Sequence, residues 1–485
     1  MKISNSSWPR WMKCAPMLPG GKSPTLSSLQ PCTGWSANFT PFRKLKAIPM
    51  TDHHSDPLHP DPVLPSFIKI RQNFDQPMLD PKKIPNTIHD QFAQLGIPAR
   101  VSPGESIAIT AGSRGIRHIL SILQAIVHEC KEMGANPYIF PAMGSHGGGT
   151  SEGQVQVLAN YGITETTLGC PIRATMDVKV IGETPLGTPV FLDKIAATAD
   201  HIIVVNRIKP HTKFVGRIES GLMKMCLIGM GKREGARTYH RAVVHHTWDE
   251  IAAAVTDVIV QKVPILAGVA ILQNAHEELA DLKFLLSYEL ATEEPKLLER
   301  AYTYLGRIPF PEVDLLIVDE MGKEFSGTGM DTNITGRKEG LPQSIAINVH
   351  RIYARALSEQ SHGNAQGIGL VDFTQRSLVD RIDHSATYLN SQTAYRTDTC
   401  KIPMTLANDR EVLQVATQMA GLKDNTDGLR VVWIKNTLEL DEMYVSEAFL
   451  PQISTLHNVD IISRGFKVQF TVEGQASLVK ANKGN

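Results

Sequence analysis

Alternation is the feature that most constrains this chain. Short apolar runs rich in β-branched residues recur: SIAIT (106–110), PYIFPAMG (137–144), HIIVVN (201–206), PILAGVAIL (264–272) and VDLLIVD (313–319). Between them lie stretches with helical spacing of apolar residues, such as RHILSILQAIVHECKEMGA (117–135) and SEGQVQVLANYG (151–162). Runs of that length predict strands, and the helical period between them predicts crossover helices. The expected fold class is therefore α/β with mostly parallel sheets. At 485 residues the chain exceeds one ordinary core. GRIPFPEVD (306–314) sets two prolines between a helical stretch and a new strand, and a second alternating set follows, including GIGLVDF (367–373) and LRVVWIKN (429–436). Two α/β domains are expected, 66–309 and 310–485, with an active-site cleft between them and with the last strands free to return to the first. Residues 1–65 are expected to lie outside the fold as a disordered or mis-assigned extension. The first 49 residues hold basic side chains and no acid, and Met50 offers a later start.

Charge and cysteine content exclude several functions. Lys+Arg and Asp+Glu both total 49, so no global field draws the chain to nucleic acid or to an anionic membrane. No apolar run approaches the roughly 18 residues that a membrane span needs. The six cysteines are scattered without a CxxC pair, which argues against a disulfide framework or a thiolate zinc site and predicts a reducing, cytoplasmic setting.

In open α/β sheets ligands sit at the carboxyl ends of strands. Three unusual loops occupy that position: AGSRGIR (111–117), GSHGGGTSEGQ (144–154) and the stretch after HIIVVN, which begins KPHTKF. The glycines around His146 let backbone approach a ligand, and amides at the following helix start can receive an anion. A flexible turn with a solvated histidine explains this loop about as well on its own. Pro210 holds Lys209 extended, so His211 leaves the strand end in a fixed direction. Two histidines in separate strand-end loops can serve as acid and base on opposite faces of one substrate. Lys224, among apolar neighbours in IESGLMKMCLIGMG, is either a desolvated nucleophile or a surface lysine whose stem covers methionines. His240 is a candidate metal ligand or a plain helix-surface residue, while Cys226, His245 and His246 read as core or exposed positions.

Together these motifs resemble the nickel-dependent lactate racemase family. PAMGSHGGGTSEGQ is similar to the family's first catalytic-histidine loop. KPHTKFVGRIESGLMKM is similar to the loop that holds the second histidine and the cofactor-bearing lysine, and GSR (112–114) to the arginine motif near the substrate. The resemblance runs from about Ser66 to Arg241. It implies a nickel pincer nucleotide, a pyridinium mononucleotide holding nickel through carbon and sulfur and tethered to Lys224, with His240 as nickel ligand. It further implies that His146 and His211 are the acid/base pair, that Ser113, Gly147 and Gly148 seat the cofactor, and that Arg114 holds the substrate carboxylate. The implied activity is racemisation or epimerisation of a 2-hydroxy acid by proton-coupled hydride transfer. The implied partners are that small molecule and the enzymes that make the cofactor.

Departures from the family's pattern set further expectations. The interval from His211 to Lys224 is three residues longer than in lactate-active members, and Ala111 stands where the family carries an acid. The second half replaces the family's substrate segment with MGKEFSGTGMDTNITGR (321–337), whose Lys323, Asp331 and Asn333 can face the cleft or merely build a turn. The substrate expected is therefore a larger or more polar 2-hydroxy acid than lactate. A binding protein on the same fold, holding a nucleotide or anion without turnover, is the alternative of a different class. A metal-dependent hydrolase lacks the close HxH or HExxH pair it would need.

Overall fold

The computed structural model describes residues 62–343, 345–420 and 428–481, which fall in one compact unit. The expectations for residues 1–61 lie outside the described residues. In chain order the strands begin with β1 (Phe67–Gln72), β2 (Ser106–Ala111), β3 (Asn136–Pro141), β4 (Val178–Glu183), β5 (Pro189–Asp193) and β6 (His201–Arg207). They continue with β7 (Ile265–Gln273), β8 (Leu279–Leu285), β9 (Glu312–Met321), β10 (Asn348–Leu357) and β11 (Phe373–Gln375). The last are β12 (Met404–Leu406), β13 (Val431–Ile434), β14 (Glu442–Ser446), β15 (Val459–Phe470) and β16 (Ala476–Lys480).

Two large sheets result. The smaller runs β3-β2-β6-β7-β8, parallel except for the β7–β8 hairpin. The larger runs β12-β11-β10-β9-β13-β14-β1-β15-β16, parallel from β12 to β13 and antiparallel beyond. The fold is thus mixed α/β with parallel sheet cores. Strands β4 and β5 form a separate hairpin. Residues 367–373, grouped with the strands in the sequence reading, are mostly a 3-10 turn, with β11 starting only at Phe373.

Period-two alternation sorts the side chains of the smaller sheet onto its two faces. Ile107 and Ile109 of β2 and Ile203 and Val205 of β6 enter one core, while Ala108, Ile202 and Val204 enter the other. Helix Ile119–Glu132 covers the first face with Ile122, Leu123, Ile126 and Cys130, at the spacing that places them on one side. The larger sheet follows the same rule: Leu316 and Val318 of β9 point to one core, Leu315 and Ile317 to the other. Burying each such aliphatic side chain contributes about 1.5–3 kcal/mol before entropy is counted. Strand β1 is the exception to reading order. Placed by its position in the chain with the first half, it pairs between β14 and β15 in the larger sheet. Among the described residues no helix is long and apolar enough to cross a membrane.

Candidate active site

Parallel strands β2, β3 and β6 release three loops at one end of the smaller sheet. The loop after β3 carries His146. Gly147, Gly148 and Gly149 all adopt positive φ, and a Cβ on Gly147 would lie 2.6 Å from the backbone carbon of Gly153, so this turn requires glycine. Thr150 caps helix Ser151–Asn160 by accepting from Gly153 N–H at 3.1 Å. Buried Gln154 donates to the carbonyls of Gly144 (2.9 Å) and His146 (3.3 Å). It also accepts from Lys232 Nζ at 3.3 Å, which forms a fully buried ion pair with Asp193 at 2.9 Å. The His146 loop is thereby bolted to helix Lys232–Ala242. His146 Nδ1 bonds the Ser113 hydroxyl on the loop after β2, where Tyr161 OH donates to Ser113 O at 3.0 Å.

The loop after β6 closes on itself through Lys209 N–H to Ser220 O at 3.0 Å. Within it His211 Nδ1 accepts the backbone N–H groups of Lys213 (2.9 Å) and Phe214 (3.0 Å). The His211 N–H donates to Glu219 Oε2 at 2.6 Å. Phe214 is buried between rings: His211 stacks on it at 4.5 Å and Trp248 at 4.1 Å with planes 5° apart, and His240 lies 5.8 Å away. Gly221 follows in extended backbone, where a Cβ would meet Glu294 Oε1 at 2.0 Å. Lys224 ends the short helix Leu222–Lys224, and a π-helical turn, Met225–Gly229, follows it. Such turns widen the helix and re-aim side chains, and they recur at functional sites.

Burial first, and neighbouring charge second, explain the behaviour of these groups. The Lys224 ammonium is desolvated and lies near Arg114, which lowers its pKa to about 7. Its hydrogen-bond partner is the Ser220 hydroxyl at 3.4 Å, and its amine lies 5.4 Å from the Phe214 ring centre. His240 is pushed down to about 4, by burial first and then by Lys224 and Lys213, and its buried Nδ1 has no hydrogen-bond partner. His146 is lowered to about 4 by desolvation and then by Arg114, Lys224 and Lys323, although its surface opens to the cleft. His211 is lowered well below its ordinary value, again by burial first. All three imidazoles are thus neutral at neutral pH.

The larger sheet completes the cleft with the loop after β9. Lys323 Nζ donates to Gly327 O (2.7 Å) and Asn390 Oδ1 (2.6 Å), and its pKa falls to about 8 through burial and then Arg114. The Arg114 guanidinium reaches the same Gly327, at 3.4 Å from where its Cβ would stand, and no carboxylate among the described residues pairs with it. Asp331 and Asn333 are arranged differently. Both are buried, and Asp331 Oδ1 accepts the backbone N–H (2.9 Å) and side-chain N–H (2.7 Å) of Asn333 as the cap of helix Thr332–Thr335. Thr332 and Lys338 from this region clasp the His211 loop, Thr332 through Thr212 O at 2.6 Å and Lys338 through Glu219 at 2.7 Å. Tyr302 OH donates to the other Glu219 oxygen at 2.7 Å.

Of the residues singled out from sequence, His146, His211, Lys224, His240, Ser113, Arg114 and Lys323 form one electrostatically coupled cluster, with Gly147 and Gly148 in the turn beside His146. Asp331 lines a separate cavity with Lys209, Pro210 and Phe325, and Asn333 is buried in its cap. Sequence reasoning missed Phe214, Trp248, Glu219 and Lys338. Only Glu219 left a signal, as a lone acid in the apolar run IESGLMKM.

The fold is α/β, and it gathers neutral histidines and a lysine that titrates near pH 7 beside an arginine with no carboxylate partner among the described residues. Residues 70–252 match the family model of the lactate racemase N-terminal domain, so this part of the chain is similar to that domain. Among solved structures, the lactate racemase apoprotein of Thermoanaerobacterium thermosaccharolyticum is 12% identical, with 76% of this chain and 88% of that chain covered and a TM-score of 0.41. A Thermotoga maritima protein is 13% identical over 71% of this chain and 84% of its own, with a TM-score of 0.43. A search of curated proteins finds no match.

Proposed function

We propose that the chain is a racemase or epimerase of a 2-hydroxy acid other than lactate, working with a lysine-tethered nickel pincer nucleotide. The observation that carries the reading is Lys224, a buried amine held near neutrality beside an imidazole whose buried Nδ1 has no partner. A neutral amine is the nucleophilic form needed for a covalent tether, and a neutral imidazole is the metal-binding form. Among the described residues no group of three or more His, Cys, Asp or Glu side chains gathers to hold a metal. A metal bound chiefly by its own organic ligand needs only one protein imidazole, which suits His240. Lys224 and His240 would hold the group, and the flat faces of Phe214 and Trp248 lie beside them. When bound, that group supplies a hydride acceptor at its pyridinium carbon.

The chain's own residues do the rest. Arg114 offers a planar, bidentate cation for the substrate carboxylate, and Lys323 adds a second charge to the same end. His146 and His211 face the hydroxyl, with Nε2 of each free of hydrogen bonds from the described residues. Because Arg114 and Lys323 depress His146, binding a carboxylate between them raises its pKa toward the ordinary range, where it accepts a proton better. Lys213, which acts on His240, and Asn390, which accepts from Lys323, add polar groups around the cluster, which suits a substrate larger or more polar than lactate. The cofactor's makers would be its partners in the cell.

The test is intact-mass and nickel analysis of the chain purified without oxygen from cells that make the cofactor. An adduct on the peptide holding Lys224, with about one nickel per chain, is expected, and Lys224→Ala should lose it. An unmodified, nickel-free chain from cells that load a known racemase would refute the reading.

A further inference from the structure

We infer that Glu294 is a positioning residue for Lys224: its buried carboxyl, on the helix Leu290–Tyr304, supplies the cap that starts the helical run on which the lysine stands. This rests on the reading of Lys224 as the cofactor's anchor and deepens it.

The short helix Leu222–Lys224 opens after Gly221, which has no side chain and gives no side-chain cap. A helix start leaves backbone N–H groups without partners inside the helix, and buried ones must find them elsewhere. Glu294 meets this need from outside. Its Oε2 accepts the Met223 N–H at 2.8 Å, and the Leu222 N–H also acts on its carboxyl. Gly221 lets the carboxyl come so close, because a Cβ there would stand 2.0 Å from Oε1. Asn206 Nδ2 holds the same glycine by donating to its carbonyl at 2.7 Å. Lys224 follows directly after Met223, so the cap fixes the turn that aims its amine. The run then continues through the π-helical turn Met225–Gly229 to the helix Lys232–Ala242, which carries His240.

Filling space does not explain a carboxyl here. Glu294 is 1% exposed, no cation among the described residues pairs with it, and Oε1 has no hydrogen-bond partner. A buried carboxyl without a cation destabilises the fold, and a leucine would fill the site with no such penalty. Burial pushes its pKa up to about 8 against the pull of the two N–H groups, so at pH 7 it is mostly the neutral acid. A neutral acid accepts the Met223 N–H without adding an anion to the segment, where an anion would favour the charged lysine.

The rest of its helix points the same way. The buried face of Leu290–Tyr304 is otherwise apolar except for Tyr302, whose hydroxyl donates to Glu219 on the His211 loop. Each of the two polar groups on that face therefore ends on a segment that carries a candidate residue, Lys224 in one case and His211 in the other.

The deciding experiment is acylation of the full chain, without cofactor, at pH 7, with the label on Lys224 compared by peptide mapping with that on exposed lysines. Glu294→Gln keeps a neutral acceptor for the Met223 N–H and should leave the Lys224 label as it is. Glu294→Leu removes the acceptor and should lower the label by about tenfold for each pKa unit that the amine regains. Glu294→Asp keeps the acid but draws it back by one methylene, and should lower the label too; it decides the matter should Glu294→Leu not fold. If Glu294→Leu or Glu294→Asp unfolds at lower urea yet labels as the parent chain does, the carboxyl is merely structural and the inference is overturned. Loss of the label in Glu294→Gln overturns it as well, because the carboxylate charge rather than the cap would then be at work. The readout needs no cofactor, so it can fail while a lysine adduct forms, or hold while none does.

Discussion

In the proposed reading, Lys323 and Arg114 would make a pH-dependent anion site. Lys323 is charged below about pH 8 and neutral above it, because burial and the neighbouring guanidinium both disfavour its ammonium. For a 2-hydroxy acid, KM should therefore rise as the pH passes about 8. Arg114→Gln should raise KM about tenfold or more at neutral pH, since it removes hydrogen bonds to a charged group. The same change removes one cause of the Lys323 shift, so the alkaline limb should move to higher pH, which a KM-against-pH series reads directly. Lys224 makes a second residue-scale prediction. In the chain without cofactor, acylation of Lys224 should have a midpoint near pH 7, where its free amine appears, well below that of exposed lysines; peptide mapping across pH checks this. These residues were legible in sequence because glycine, proline or an apolar run framed each one. Phe214, Trp248 and Lys338 were not, because nothing local distinguishes a core aromatic or a loop lysine from one that backs a catalytic ring.

At the scale of elements, two buried ion pairs stand behind the two histidine loops: Lys232–Asp193 behind His146, and Lys338–Glu219 behind His211. Burial pushes the Glu219 carboxyl up and the Lys338 ammonium down, each partly offset by the other. Removing one partner leaves an uncompensated buried charge, so Lys338→Met should destabilise the chain by about 3–5 kcal/mol. Glu219→Gln combined with Lys338→Met should cost less than the sum of the single changes, as measured by urea unfolding. If the losses simply add, the pair does not act as a unit. The strands at the heart of both sheets were readable from β-branched runs. The π-helical turn after Lys224 was not, because a helix of the same composition closes with ordinary bonds just as well. Asp331 and Asn333 show the converse: polar residues at a strand end, turned by local capping into a pair that serves each other.

For the molecule as a whole, β1 matters most. Its residues lie far in sequence from β14 and β15, yet it joins them, and its removal would expose two strand edges at once. A chain that starts after Gln72 should aggregate on expression, while its smaller sheet keeps every strand; solubility against the full chain tests this. The loops after β9 of the larger sheet clasp the His211 loop through Thr332–Thr212 and Lys338–Glu219, so the histidine is held from both sheets. The amino-acid sequence by itself determined the α/β class, the strand-end loops and which candidate side chains those loops carry, because apolar period and glycine placement act over a few residues. Tertiary structure alone decided the rest: which backbone amides His211 Nδ1 faces, how far Lys224 is desolvated, that Arg114 has no carboxylate partner among the described residues, and where β1 belongs. Each of these depends on groups tens to hundreds of residues away, and neither a field nor a hydrogen-bond partner is written in the local order of the chain.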